Sequence, residues 1–89
     1  MKFGEYLDVL GLELTLTRYA SQDGRWCARI ERAEVMERSM LVGARGNAKT
    51  PSGAINDYLK KIKGNKICIG AYTDNRREYL VPNSIEDEP

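Results

Sequence analysis

The chain has 89 residues, of which 42% are hydrophobic and 30% are charged, and its formal net charge is +1. This length predicts one small domain, and no apolar run approaches the roughly 20 residues that a transmembrane helix needs. The chain contains no histidine, which excludes the usual general base, the commonest metal ligand and any Ser-His or Cys-His nucleophile pair.

A short helix is predicted at the start of the chain. Phe3, Tyr6, Leu7 and Leu10 recur at helical spacing, and Gly11 follows as a left-handed stop. Two turns of helix are stable only when they pack against other elements. The opening residues lack the basic-then-apolar pattern of a secretory signal, so we expect a cytoplasmic protein.

An antiparallel hairpin follows the helix. Leucines alternate with polar residues from 12 to 17, which predicts a half-buried strand. Asp-Gly in the turn at 21–24 is a strong hairpin signal. The returning strand has Trp26, Ala28 and Ile30 on one face. Its other face carries Arg25, Cys27, Arg29 and Glu31.

In the middle of the chain, the residue pattern predicts a reversal, a strand and a loop. The alternation weakens at 33–38, which indicates a second reversal, and an apolar strand resumes at 40–44. Two glycines at 43–49 predict a connecting loop.

A second helix and a second hairpin complete the domain. Thr50 and Pro51 form a strong helix start, one apolar stripe runs through the helix expected at 51–63, and Gly64 ends it. Alternating strands are predicted at 67–71 and 77–81, with a turn between them.

The order is therefore α-β-β-β-α-β-β, which predicts a two-layer α+β fold with an antiparallel sheet of four to five strands packed on one main helix. We expect this single domain to cover residues 1–82. Residues 83–89 predict an acidic, disordered tail.

The charge and the cysteines constrain the partners. Residues 1–44 hold six basic and seven acidic side chains, whereas residues 45–82 hold eight and three. This excess in the second half suggests an anionic partner. Cys27 and Cys68 are too few for a disulfide framework or a zinc site, so we expect free thiols and no bound metal. We also expect no cofactor, and no membrane partner because the sequence has no long apolar run.

Catalysis is not expected. The segment 43–50 resembles a phosphate-binding loop, but Ala48 stands where that pattern requires glycine, and Pro51 lacks an N–H at the helix start. The neighbouring carboxylates Glu31, Glu34 and Glu37 favour a solvated surface, and Cys27 has no histidine to activate it.

Two binding modes remain. A protein partner, or a second copy in a homodimer, would use the open sheet together with Arg25, Arg29, Arg32, Arg76 and Arg77. The alternative is an anion or a nucleic acid, bound by the basic residues of the second half. These residues are Arg45, Lys49, Lys60, Lys61, Lys63 and Lys66.

Two motifs resemble the HicB-like antitoxin domain. One is D-G-R-W-C-A-R-I-E at 23–31, and the other is T-P-S-G-A-I at the start of the second helix. The resemblance covers residues 12–71 and implies a small sheet of three or four strands against one helix. Gly53 stands where that family commonly has Glu, and no DNA-binding segment follows in the sequence, so repressor activity is not implied.

The chain is also similar to small bacteriophage proteins, through segments such as 67–69 and 76–82. Such proteins often inhibit host machinery, and anti-CRISPR proteins are an example. This similarity implies a non-enzymatic protein in the host cytoplasm that inhibits a host protein or a defence complex by protein–protein interaction. The alternative is a HicB-like antitoxin or a nucleic-acid-binding module.

Overall fold

The structure is a computed structural model that describes residues 1–20 and 23–87, and over this part of the chain it contains two helices and seven strands. In chain order these are α1 (Phe3–Leu10), β1 (Leu14–Tyr19), β2 (Arg25–Ile30), β3 (Ala33–Glu37), β4 (Met40–Val42), β5 (Gly46–Ala48), α2 (Pro51–Ile62), β6 (Lys66–Ile69) and β7 (Arg77–Leu80). The predicted α+β class is confirmed. Residues 21 and 22 of the predicted hairpin turn lie outside the described residues.

Both helices lie where their boundary residues predict them. The φ angle of Gly11 is 67°, so α1 ends on a left-handed residue. The N–H of Gly53 donates to Thr50 Oγ1 at 3.0 Å, and Pro51 is the first residue of α2. Neither of the described helices is long and apolar enough to cross a membrane.

The strands form two antiparallel sheets instead of the single predicted sheet. The first sheet has the order β1-β2-β5, and the second has the order β4-β3-β6-β7. The chain passes from one to the other in the two-residue turn after Ile30, where Arg32 has a φ of 61°. This turn directs β3 to pair with β6 instead of continuing the first sheet.

Two predictions for the middle of the chain are wrong. The reversal expected at 33–38 is the strand β3, and the chain turns at Arg38 and Ser39, which both have positive φ. The loop expected at 43–49 contains β5, which pairs with β2 through Cys27 and Asn47.

The register of β1 and β2 separates their two faces. Opposed residues share a face of a sheet. The inner face therefore carries the pairs Leu14–Ile30, Leu16–Ala28 and Arg18–Trp26, whereas the outer face carries Thr15–Arg29, Thr17–Cys27 and Tyr19–Arg25. The core lies on the inner face, where Ala28 and Ile30 are buried and Trp26 packs at the edge of the cluster. The predicted division of β2 into two faces is confirmed.

Gly46 lets β5 lie directly against α2. A Cβ atom at this position would collide with the Ala54 carbonyl oxygen and the Tyr58 backbone nitrogen, and would lie 2.6 Å from Tyr58 Cβ. The two backbones approach so closely that only glycine fits. The Tyr58 ring behind this contact is buried and lies 6.5 Å, centroid to centroid, from Phe3 of α1.

The structure corrects the prediction of a disordered tail for residues 83–87. Ile85 is buried in the core. The N–H of Phe3 donates to the Glu86 carbonyl at 3.2 Å, and the N–H of Glu86 donates to the Met1 carbonyl at 2.9 Å. One apolar side chain and two backbone hydrogen bonds thus hold this segment against the start of the chain, whereas residues 88 and 89 lie outside the described residues.

Candidate functional site: an arginine-lined sheet face

The outer face of the first sheet is polar and lies opposite the helix that packs on this sheet. Helix α2 contacts β2 and β5 on the inner face, where the core is. Threonine, tyrosine, cysteine and arginine side chains of β1 and β2 occupy the outer face. Its chemistry is therefore that of a surface facing water or a partner.

A cleft of about 280 Å³ crosses this face. We call it the arginine cleft, and it is lined by Thr15, Thr17, Tyr19, Cys27, Arg29, Glu31, Arg32 and Arg45. Three of these residues are arginines and one is a glutamate, so the lining residues carry a formal charge of +2.

Three separate segments supply these arginines. Arg29 belongs to β2, opposite Thr15. Arg32 lies in the turn between the two sheets, where its carbonyl accepts the N–H of Gly70 at 3.1 Å. Arg45 precedes β5, and the pairing of β5 with β2 brings it to the same face.

Arg29 has an unsatisfied hydrogen-bond donor. Its Nε is buried, and it is the buried side-chain polar atom without a hydrogen-bond partner among the described residues. A buried donor without an acceptor costs about 1–3 kcal/mol.

The carboxylate in the arginine cleft is not paired with any of its arginines. Glu31 Oε2 accepts a hydrogen bond from Thr15 Oγ1 at 2.8 Å. The ion pairs that the structure shows between described residues lie elsewhere, and they are Lys61–Asp57, Lys63–Asp87 and Arg76–Glu78. The positive charge of the cleft is therefore not neutralised within the described part of the fold.

The buried tyrosine beneath this region does not supply a counter-charge. Burial raises the pKa of the Tyr58 hydroxyl, although its hydrogen bond with the Ile30 backbone and the positive charge of Arg29 oppose the rise. The hydroxyl therefore stays protonated and neutral.

A second cleft, of about 470 Å³, lies beside the first one between the two sheets. We call it the junction cleft, and it shares Glu31 and Arg32 with the arginine cleft. It also contains Glu13 and Arg77, so its two basic and two acidic side chains balance.

The structure brings together part of the predicted partner-binding set. Arg29 and Arg32 line the arginine cleft, and Arg25 lies on the same face of β2, opposite Tyr19. Arg77 lines the junction cleft, with its guanidinium carbon 5.9 Å from the centre of the Tyr79 ring. Arg76 lines neither cleft and lies 3.3 Å from Glu78.

The alternative basic set does not converge on one surface. Lys49 precedes α2 and Lys63 follows it, which separates them by about 20 Å along the helix. Lys61 donates to the Arg45 carbonyl at 2.7 Å and pairs with Asp57 at 3.2 Å. Lys60 is exposed on α2, and Lys66 opens β6 opposite Leu80. Arg45 is the member of this set that lines the arginine cleft.

The carboxylates and cysteines that were candidates for catalysis or metal binding lie apart in the fold. Glu34 is opposite Cys68 in the second sheet, whereas Glu31 bonds Thr15 beside the first sheet. Cys27 is buried in β2 and Cys68 in β6, and both are free thiols. The described residues contain no group of three or more metal-ligating side chains.

Sequence reasoning missed several residues of the arginine cleft, namely Thr15, Thr17, Tyr19 and the cleft role of Glu31. Their signal is the register of the first hairpin, because the two threonines and the tyrosine of β1 lie opposite residues on the arginine-bearing face of β2.

Comparison of the chain with protein-family models, with curated proteins and with solved structures gave no match. The resemblances to the HicB-like domain and to phage proteins therefore stay hypotheses.

Proposed function

We propose that this protein is a non-enzymatic, cytoplasmic binding protein whose outer sheet face covers an acidic surface on a partner protein and thereby blocks that partner. The observation that carries this proposal is the unpaired positive charge of the arginine cleft. A host protein or a defence complex is the partner implied by the resemblance of the sequence to phage inhibitors.

The type of side chain supports a protein partner. Arginine is enriched at the energetic centres of protein interfaces, because its planar guanidinium binds carboxylates in a fixed geometry and also packs on apolar surface. Tyr19 adds an aromatic side chain beside Arg25 on the same face. Opposite charges on the two partners would also accelerate their encounter.

Nucleic-acid binding has weaker support. A nucleic-acid groove needs a continuous row of cations that follows the phosphate backbone. The lysines of the second half are dispersed along α2 and β6, and Lys61 and Lys63 already lie near carboxylates of the same chain. We therefore make nucleic-acid binding an outcome of the test.

The test compares two variants that each lose three positive charges. The immobilised protein is exposed to a nuclease-treated bacterial lysate and washed at high salt, in parallel with R25Q/R29Q/R32Q and with K60Q/K63Q/K66Q. We expect the wild-type protein and the lysine variant to retain the same protein, and the arginine variant to lose it.

Two results would reject the proposal. One is a captured protein that the arginine variant retains as well as the wild type does. The other is binding that needs intact nucleic acid, fails in the lysine variant and falls steeply with salt, as phosphate contacts require. Circular dichroism of both variants establishes that they are folded.

A further inference from the structure

We infer that the free edge of β1 is a self-association site, at which β1 of a second copy of this chain pairs antiparallel with Leu16 opposite Leu16 on the two-fold axis. The pairing would join two three-stranded sheets into one sheet of six strands. It uses the edge of the sheet and leaves the outer face open, so it goes beyond the proposed function and does not depend on it.

β1 is an edge strand with free backbone groups, and among the described strands it pairs only with β2. The N–H of Glu31 donates to the Glu13 carbonyl at 2.8 Å, and this pair continues the register of β1 with β2. Backbone groups of an antiparallel strand point alternately to its two sides, so those of Leu14, Leu16 and Arg18 point away from β2. No backbone hydrogen bond to these outward groups occurs in the described part of the chain.

The other edges of the two described sheets are shorter or partly occupied. β4 and β5 have three residues each and β7 has four, whereas β1 has six. In β5 the Asn47 N–H donates to Asp57, and in β7 the Leu80 carbonyl accepts the Tyr6 hydroxyl, each at 2.8 Å. β1 contains no proline and one charged residue, so it has few of the features with which natural edge strands resist pairing. It is therefore the edge best suited to add a strand.

The inner face of β1 is incompletely covered. Helix α2 packs on β2 and β5, whereas on β1 Leu14 is only half-buried and Leu16 is 38% exposed. An apolar cleft of about 320 Å³ lies beside Leu14 and is also lined by Leu7 and Ile55. In the two-fold pair each Leu16 would pack on its counterpart, and the apolar stem of Arg18 would lie beside Leu14 of the second copy. The pairing thus covers apolar surface that the single chain leaves exposed.

The charges at the two ends of the strand favour a second copy in this register. Glu13 precedes β1 and is exposed, whereas Arg18 and Arg25 lie at the other end of the hairpin. Antiparallel pairing about Leu16 places Glu13 of each copy opposite Tyr19 of the other. The neighbour of Tyr19 across the sheet is Arg25, so the acidic end of each hairpin meets the basic end of the other. The two Arg18 residues are then four strand positions apart, about 13 Å, which avoids repulsion between them.

The test places charges on the two-fold axis and measures molecular mass by analytical ultracentrifugation. An edge pairing is a small interface, so we expect the wild-type protein to double its mass at concentrations of about 100 µM. L16K and L16E each set like charges opposite each other, so each variant alone should stay monomeric there. An equimolar mixture of L16K and L16E should dimerise again, because opposite charges then face each other across the axis.

M40K is the matched control, because Met40 is an apolar residue on another edge strand and is 67% exposed. This variant gains the same charge as L16K and should dimerise as the wild type does. A disulfide gives a second measurement. The two Leu16 Cα atoms would lie about 5.5 Å apart, within the range that a disulfide spans. Oxidation should therefore link L16C into a covalent dimer but leave M40C unlinked, since the native Cys27 and Cys68 are buried.

Four outcomes would overturn the inference. They are a wild-type protein that stays monomeric, equal loss of the dimer in M40K and L16K, a mixture of L16K and L16E that does not associate, and an L16C variant that oxidation links no better than M40C. Circular dichroism establishes that the variants are folded, and if the charged ones are not, the result with L16C decides. None of these outcomes affects the proposed function, whose test depends on the arginines of the outer face.

Discussion

The arginines of the outer face and the lysines near α2 carry the same charge but have different surroundings. Lys61 contacts both Asp57 and the Arg45 carbonyl, and Lys63 lies 4.0 Å from Asp87. Arg29 and Arg32 have no ion pair with another described residue. Two of the lysines thus have a carboxylate partner within the fold, whereas these two arginines have none among the described residues. A sum of charges along a sequence does not distinguish these two situations.

Gly46 lies where β5 packs against α2, and its substitution should have the largest effect on the stability of the fold. An added Cβ would collide with the backbone of α2 at Ala54 and Tyr58. We expect G46A to lower the free energy of unfolding by about 3 kcal/mol, because neither backbone can move without disturbing the core. Urea denaturation measures this loss.

Gly43 offers a matched control for that experiment. A Cβ atom added at Gly43 would have no neighbouring atom within 4 Å, and the φ of Gly43 is not in the left-handed region. G43A should therefore unfold like the wild type, within about 0.5 kcal/mol. Equal stability of G46A and G43A would show that β5 does not lie against α2 as described.

Asp57, which pairs with Lys61 on α2, should make a moderate contribution to the stability of the fold. Its Oδ2 accepts the Asn47 N–H at 2.8 Å and lies 3.2 Å from Lys61 Nζ, so it connects α2 to β5. Because the site is partly exposed, we expect D57N to lower the free energy of unfolding by only about 1 kcal/mol. D74N removes the same charge from an exposed loop and should change it little. Equal losses in the two variants would contradict a specific role for Asp57.

The contribution of Asp57 should also depend on pH. The hydrogen bond from the Asn47 backbone, assisted by Lys61, lowers the pKa of Asp57 despite its partial burial. A carboxylate with a lowered folded-state pKa stabilises the fold above its unfolded pKa of about 4, and that stabilisation disappears as the pH falls through the folded value. The difference between wild type and D57N should therefore shrink in urea titrations below about pH 4. A difference that stays constant into more acidic solution would contradict this explanation.

The parts of the fold that the sequence predicted are set by local interactions. Gly11, Thr50 and Pro51 mark helix ends through their own backbone preferences, and the two faces of β2 follow from the alternation of its residues. The division into two sheets was not predictable, because it depends on pairs such as Val35–Ile67, which are distant in the chain. The docking of residues 83–87 was missed because Ile85 is a single apolar residue without a periodic pattern.

The candidate site was likewise predictable only where it depends on local pattern. Alternation along β2 placed Arg25 and Arg29 on the face opposite Trp26. The convergence of Arg45 on that face depends on β5, whose sequence Gly-Asn-Ala has no strand pattern and which is held by its pairing with β2 and its contact with α2. Sequence reasoning therefore grouped Arg45 with the lysines.

Removal of the Arg29 guanidinium should have the smallest effect on stability. Unlike the substitutions above, it should leave the fold equally stable or slightly more stable. Met has a similar length and apolar stem but lacks the buried donor, so R29M eliminates an unsatisfied Nε without leaving a large cavity. We expect its free energy of unfolding to equal that of the wild type or to exceed it by about 0.5 kcal/mol, by urea denaturation. R25M, on the same face of β2 with an exposed side chain, is the matched control and should not change it. A loss of more than about 1 kcal/mol specific to R29M would mean that the guanidinium stabilises the fold, and the contrast between the unpaired arginines and the paired lysines would be wrong.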